Sequence, residues 1–332
     1  MRGGSSEGPA TPRVSVVMAV CDGERFVAEA IESLRSQTLR DFELIVVDDG
    51  STDSTPRIVA ALAAEDDRIL LQVRPHLGYP AALNAGWQAA RGEYVGILDA
   101  DDLAEPARLE RQLHHLKRNP EVGVVGGALL LVTADGRPFY IAAYPVSPAE
   151  AREALKSRSP LGHTAALARR SVLEEVGGYR TMFPLAEDYD LWLRISARYA
   201  VANLPDIVGR YRIHGGNGSI VGIRQQAESM AAARAEAAGA RPDDTEIAQA
   251  EVELALWWAQ IAARAGDGWR QVEKGAWQLA GAASRRTTDP AGTRARIARA
   301  RARLDTQLGR RTRVLARRLV QDLKLQGEGL RS

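Results

Sequence analysis

"YVGILDADDL", Tyr94–Leu103, decides the fold. An apolar run passes straight into Asp99, Asp101 and Asp102, three carboxylates within four positions. A stretch apolar on both faces predicts a buried strand. Such a strand does not end in a knot of like charge unless something neutralises it. The same grammar recurs on either side. "VSVVMAV" (Val14–Val20), "FELIVVD" (Phe42–Asp48) and "RILLQV" (Arg68–Val73) are strand-like. Between them lie helical stretches: Glu24–Gln37, with Phe26, Ala30, Ile31 and Leu34 on one face, "STDSTPRIVAALAAE", and "YPAALNAGWQAARG". "EPARLERQLHHLKRNP" follows the aspartates as another helix, stopped by Pro120. Strands alternating with helices at this spacing predict an α/β fold with a mostly parallel sheet. Ligands of such sheets bind at the carboxyl ends of strands, where Asp48, Asp49 and the Asp99 cluster all fall.

The composition is that of an ordinary globular protein: 332 residues, 45% hydrophobic, 26% charged, with a formal net charge of +2. Nothing in that balance argues for nucleic acid. The single cysteine, Cys21, rules out an intrachain disulfide and favours a reducing compartment. The Gly/Ser/Pro-rich start has no apolar core of the signal-peptide kind, and residues 1–12 are expected to be a disordered tail. The longest apolar run, Val122–Val132, has eleven residues including three glycines, which suits a buried strand and not a membrane span. After Ile223 the chain turns rich in Ala, Arg, Glu and Gln and reads as a helical extension, residues 223–332.

Clustered carboxylates raise one another's pKa unless a cation sits among them. An oxygen donor set suits Mg²⁺ or Mn²⁺, ions that commonly complete their coordination on phosphate. A solvated acidic turn capping the helix at Glu105 is the alternative from spacing alone. "VVDDGSTDST" (Val46–Thr55) adds two more carboxylates at a strand end, followed by glycine and hydroxyls. There is no G-x-G-x-x-G between strand and helix and no G-x-x-x-x-G-K-[ST], so a glycine-rich phosphate cradle is not expected.

Three stretches in order, "VSVVMAVCDGERFVAEAIESLRSQTLRDFELIVVDDGSTD", "GYPAALNAGWQAARGEYVGILDADD" and "GGYRTMFPLAEDYDLWLRI", resemble the family 2 inverting glycosyltransferases of the GT-A fold. The resemblance spans Val14–Ser219 and implies a GT-A catalytic domain over residues 13–222. It also implies a nucleotide-sugar donor, usually a UDP-sugar, a divalent metal (Mn²⁺ or Mg²⁺), and an acceptor hydroxyl on a glycan or lipid-linked glycan. Carried over residue by residue, Ala19, Val20, Asp22 and Glu24 correspond to the nucleotide-base pocket. The Pro-x-Tyr-Asn common there is Ala-Val-Cys-Asp in this chain. Asp49 corresponds to the carboxylate that meets the uracil imide. Asp99 and Asp101 form the D-x-D motif, the first near the ribose and the second on the metal. Asp102 is a second ligand or a helix cap. In "AEDYDLW" (Ala186–Trp192), Asp188 corresponds to the catalytic base. A carboxylate there accepts the proton of the attacking hydroxyl, and one base without a nucleophile gives inversion. The competing view makes Glu187, Asp188 and Asp190 first-turn carboxylates favoured by the helix dipole.

"YRIHGGNGS" (Tyr211–Ser219) closes the domain. His214 is a candidate for the metal or diphosphate and Arg212 for phosphate. Asn84 either helps hold the nucleotide or sits on a helix face. Arg74 either reaches phosphate or is solvated. His163 is read first as structural, with an acceptor-side role as the alternative; Cys21 is assigned no chemistry. In the extension, Trp257, Trp258, Trp269 and Trp277 are expected to anchor paired helices, which also offer a route to a homo-oligomer. From Thr293 to Lys324, ten arginines and one lysine face two aspartates, with a leucine stripe. That segment suits either packing with a solvated arginine face or contact with an anionic membrane, which would place the protein at the inner face of the cell membrane. Two other functions compete. A sugar nucleotidyltransferase needs a glycine-rich basic loop after the first strand, and "AVCDGER" has one glycine. A nucleotide-sugar-binding protein without turnover would have no need of Asp101 and Asp188 together.

Overall fold

A computed structural model describes residues 11–265 and 269–302. The strand β1 (Val14–Val20) is buried at every position, as its β-branched, two-faced apolar sequence requires. It is followed by α1 (Val27–Arg35), β2 (Phe42–Asp48), α2 (Thr55–Glu65), β3 (Ile69–Val73), α3 (Tyr79–Ala89) and β4 (Tyr94–Ile97). Then come β5 (Leu103–Ala104), α4 (Arg108–Arg118), β6 (Val122–Thr133), β7 (Pro138–Ala142) and α5 (Pro148–Ala154). The domain continues with β8 (Leu167–Arg169), α6 (Arg170–Val176), α7 (Glu187–Ser196), β9 (Ala200–Ile213), α8 (Gly218–Val221) and α9 (Ile223–Ala237).

The sheet order is β3-β2-β1-β4-β8-β6-β9-β5, with β7 paired to β6. From β3 to β4 the strands are parallel. Beyond β4 the sheet is mixed: β8 is antiparallel to β4 and β6, whereas β6 and β9 are parallel. The apolar core brings Val16, Met18, Leu44 and Val46 together with Ile31 and Leu34 of α1 and Leu109 and Leu116 of α4. The run from Val122 is indeed a strand, buried along all but its last residue.

The register sets the site. Val20 pairs with Asp48, and Val17 with Ile97, so three parallel strands end at one edge. The chain segments that leave those ends carry Asp22, Asp48, Asp49 and the Asp99 cluster.

The chain divides into two compact units, Met1–Pro242 and Asp243–Ser332. This division falls later than residue 222, because α9 packs on α7 and buries Ala227, Met230 and Ala231 within the first unit. The second unit pairs α10 (Asp244–Ala265) with α11 (Arg270–Ala283), followed by helix α12 over residues 290–302. Trp258 and Trp277 are buried there, and Trp257 stacks edge-on against Trp258 at 4.6 Å. Among the described residues, no helix is long and apolar enough to cross a membrane. Residues 1–10 of the expected tail and residues 303–324 of the arginine-rich segment lie outside the described residues.

Candidate active site

Asp99, Asp101 and Asp102 each meet different protein partners. They are dealt with separately, because adjacent residues on a tight turn diverge. Asp99 accepts a short hydrogen bond from the Tyr79 hydroxyl, and His163 Nδ1 lies 3.8 Å from the same oxygen. Asp101 Oδ2 lies 2.8 Å from His214 Nε2 and 3.3 Å from Asn217 Nδ2. Asp102 is fully buried; its Oδ1 accepts the Arg212 backbone N–H at 2.7 Å, and its Oδ2 is buried without a hydrogen-bond partner. Burial pushes the Asp99 carboxyl above the usual carboxylate range, with His163 opposing and Asp101 adding to the rise. Asp102 is pushed much higher, by burial first and then by its two neighbours.

Among the described residues no three His, Cys, Asp or Glu side chains converge as a metal cage. Asp101 and His214 form a two-residue set. The Gly216 N–H donates to His214 Nδ1 at 3.2 Å, so Nε2 carries the proton and donates it to Asp101. A hard divalent cation could replace that proton. A small protein donor set that leaves coordination to water and phosphate suits Mn²⁺ or Mg²⁺.

Several residues assigned to the nucleotide prove to hold the scaffold. Ala19 and Val20 are 6% and 5% exposed in β1, so little of their side chains is open to a ligand. Asp22, at φ 52°, accepts from the Thr52 and Asp53 N–H groups and so folds the loop after β2. Glu24 accepts from the Ser54 N–H at 3.0 Å, at the start of α2. Asp49 is 4% exposed, and its two oxygens accept the N–H groups of Leu77 and Gly78 at 2.8 and 2.9 Å. Gly78 has φ 94°, which favours glycine. Arg74 is exposed after β3.

Arg212 is 3% exposed and fully engaged, with Asp101 O, Ala134 O and Glu29 as partners and its guanidinium over the Phe26 ring. It is therefore not free to meet phosphate; it ties β9 to the D-x-D turn and to α1. Asn84 likewise brackets Tyr179, giving its amide to Tyr179 O at 2.8 Å and accepting the Tyr179 N–H at 2.9 Å. Cys21 is exposed, 3.8 Å from His76 Nδ1.

Asp188 stands half-buried in the first turn of α7, with Oδ1 accepting the Tyr189 N–H at 2.7 Å. Burial raises its pKa, opposed by His163 and the Tyr189 N–H. Glu187 beside it is 8% exposed, and burial together with the Asp188 charge pushes it up to about 8. Asp190 is different: it is buried in a salt-bridged pair with Arg180 and Arg194, a structural role. The three first-turn carboxylates thus have three different surroundings.

Sequence spacing gave no sign of Tyr79, Thr164, Tyr179 or Asn217 as parts of this site. Each reaches it from a different element, and none recurs at a motif spacing. His163, read first as structural, sits between Asp99 and Tyr179.

Residues 15–177 match the model of the family described as Glycosyl transferase family 2. The amylovoran biosynthesis glycosyltransferase AmsE of Erwinia amylovora is 31% identical over 186 residues, 55% of this chain and 69% of AmsE. The chain belongs to glycosyltransferase family 2. Solved glycosyltransferases share its GT-A fold. The mannosyltransferase PcManGT of Pyrobaculum calidifontis, solved with GDP-Man and Mn²⁺, superposes with a TM-score of 0.55 at 23% identity, covering 92% of this chain and 83% of that one. S. aureus TarS 1-349, solved with UDP-GlcNAc, gives a TM-score of 0.52 at 18% identity, with 88% of each chain covered.

Proposed function

We propose that this family 2 glycosyltransferase moves a sugar, with inversion, from a nucleoside-diphosphate sugar to an acceptor hydroxyl. The observation that carries the proposal is the pairing of chemistries at one sheet edge. The Asp101–His214 pair offers a site for a divalent ion, and Asp188 offers a carboxylate made more basic by burial, within electrostatic reach of His163 and Asp99. The nucleotide sugars held in the PcManGT and TarS structures support the donor class. A UDP-sugar is the donor we favour.

Asp101 and His214 would hold the metal, which when bound supplies Lewis-acid stabilisation of the departing diphosphate. Asp188 accepts the acceptor's proton while the acceptor oxygen bonds to the anomeric carbon and the bond to diphosphate breaks. Glu187, neutral below about pH 8, spares Asp188 a second adjacent charge. Arg212, buried, and Asn84, partly buried, keep the walls of the site in register. The acceptor class we favour is a glycan or lipid-linked glycan, with the work done in the cytoplasm or at the inner membrane face; the relative AmsE is named for amylovoran biosynthesis, which supports a glycan product. Segment 293–324 is a candidate for contact with anionic lipid. In its described part, however, Arg296 pairs with Glu253 at 2.6 Å and Arg301 lies over the Trp277 ring, which favours packing there.

The test is Asp101→Ala. It is expected to abolish Mn²⁺-dependent nucleotide binding, measured by calorimetry, at an unchanged melting temperature. Unchanged affinity at saturating Mn²⁺ would remove the metal role.

A further inference from the structure

Asp99 is the end of a directed hydrogen-bond chain that the reaction scheme does not use. A carboxylate only accepts, so the Tyr79 hydroxyl donates to Asp99 Oδ1. The Tyr79 oxygen is then left to accept from His163 Nδ1–H, 3.3 Å away. With Nδ1 protonated, a neutral imidazole accepts at Nε2, where the Tyr179 hydroxyl lies at 2.9 Å. The rings are edge-on, with centroids 6.0 Å apart for Tyr79–His163 and 5.5 Å for His163–Tyr179. Every donor in the chain points toward Asp99.

The far end is anchored. Tyr179 is 4% exposed, and Asn84 clamps its backbone on both sides. Gly178 before it has φ 68°, and a Cβ there would meet Trp87 Nε1 at 2.6 Å. Tyr179 therefore cannot drift, and neither can the imidazole that it faces. The Asp99 N–H donates to Thr164 Oγ1 at 3.1 Å, fixing the backbone of the carboxylate as well.

We infer that Tyr79 and His163 are positioning residues that lock the rotamer of Asp99, committing Oδ1 and leaving Oδ2 to receive a hydroxyl of the nucleotide sugar. This rests on the nucleotide-sugar reading given above. Both act on the donor through the Asp99 carboxylate. Their effect on the donor is on how well it is held, so Tyr79→Phe should raise donor KM and leave kcat at saturating donor nearly unchanged. Because Tyr79 acts on a charge and His163 acts through Tyr79, the two losses should not add.

The experiment is a double-mutant cycle on the full chain with Mn²⁺ and a panel of UDP-, GDP- and dTDP-sugars. Binding is followed by calorimetry, and melting temperature is recorded for each variant. Tyr79→Phe, which keeps the ring, is expected to weaken binding of the preferred donor about tenfold, the scale of a lost hydrogen bond to a charged group. His163→Ala is expected to lose a similar factor, and the double variant no more than the larger single loss. His163→Gln, which keeps one donor and one acceptor, is expected to recover most of the affinity. Wild-type affinity in Tyr79→Phe, or additive losses in the double variant, would overturn the inference while leaving the donor reading intact. A wild-type protein that binds none of the sugars would instead overturn the donor reading itself.

Discussion

Glu187 and Asp188 are neighbours in one helical turn with unlike surroundings. Burial raises both, and Glu187 reaches about 8. In the metal-free protein the folded state therefore keeps a proton on Glu187 that the unfolded chain releases near its ordinary value of 4.5. The folded state binds more protons across that window, so stability should fall as pH rises from about 4.5 to about 8. Glu187→Gln mimics the neutral acid. It is expected to flatten this part of the melting-temperature profile and to raise the melting temperature at pH 9; a profile identical to wild type would show that Glu187 is ionised in the fold. Asp188→Asn keeps size but cannot take a proton. Transfer is expected to fall by about 10²-fold or more, the usual contribution of a positioned base, with donor binding close to normal. Wild-type turnover in that variant would end the assignment.

At the level of elements, the strands and helices from Val14 to Arg118, apart from the two-residue β5, follow directly from the sequence, because apolar runs and helical periodicity are local signals. The Val122–Thr133 strand is legible for the same reason. The antiparallel joins of β8 to β4 and β6 are not, since they depend on partners far apart in the chain. The site divides in the same way. Asp99, Asp101 and Asp188 stand out as motif carboxylates, whereas Tyr79, His163 and Tyr179 meet only once α3, the turn before β8 and the turn after α6 are packed. Arg212 and Asn84 illustrate the converse: polar residues beside a motif look like ligand contacts, yet both have main-chain and side-chain partners within their own fold. Asn84 is the pin between α3 and the Gly178–Tyr179 turn. Asn84→Ala leaves the Tyr179 N–H and C=O and the Trp87 indole N–H without partners. The expected cost is about 1–3 kcal/mol in chemical denaturation, the range for stranding a buried polar group. A cost within ±0.5 kcal/mol, the range of a surface change, would mean that water or a rearranged turn replaces it.

For the whole molecule, every residue of the proposed site lies before Gly218, within the first unit. Removing the chain after Gly292 should therefore leave donor binding intact. If the arginine-rich segment contacts membrane, the full chain should bind anionic vesicles, weaken as salt rises, and lose that binding on truncation. Lower melting temperature on truncation, with vesicles ignored by the parent, would assign the segment to packing. The central claim is metal-dependent transfer from a nucleotide sugar. It is tested most directly by following release of nucleoside diphosphate from a panel of UDP-, GDP- and dTDP-sugars, with Mn²⁺ and with chelator, in wild type and Asp101→Ala. The expected result is release from one donor class that requires Mn²⁺ and disappears in Asp101→Ala; release that persists in chelator or in the variant would contradict it.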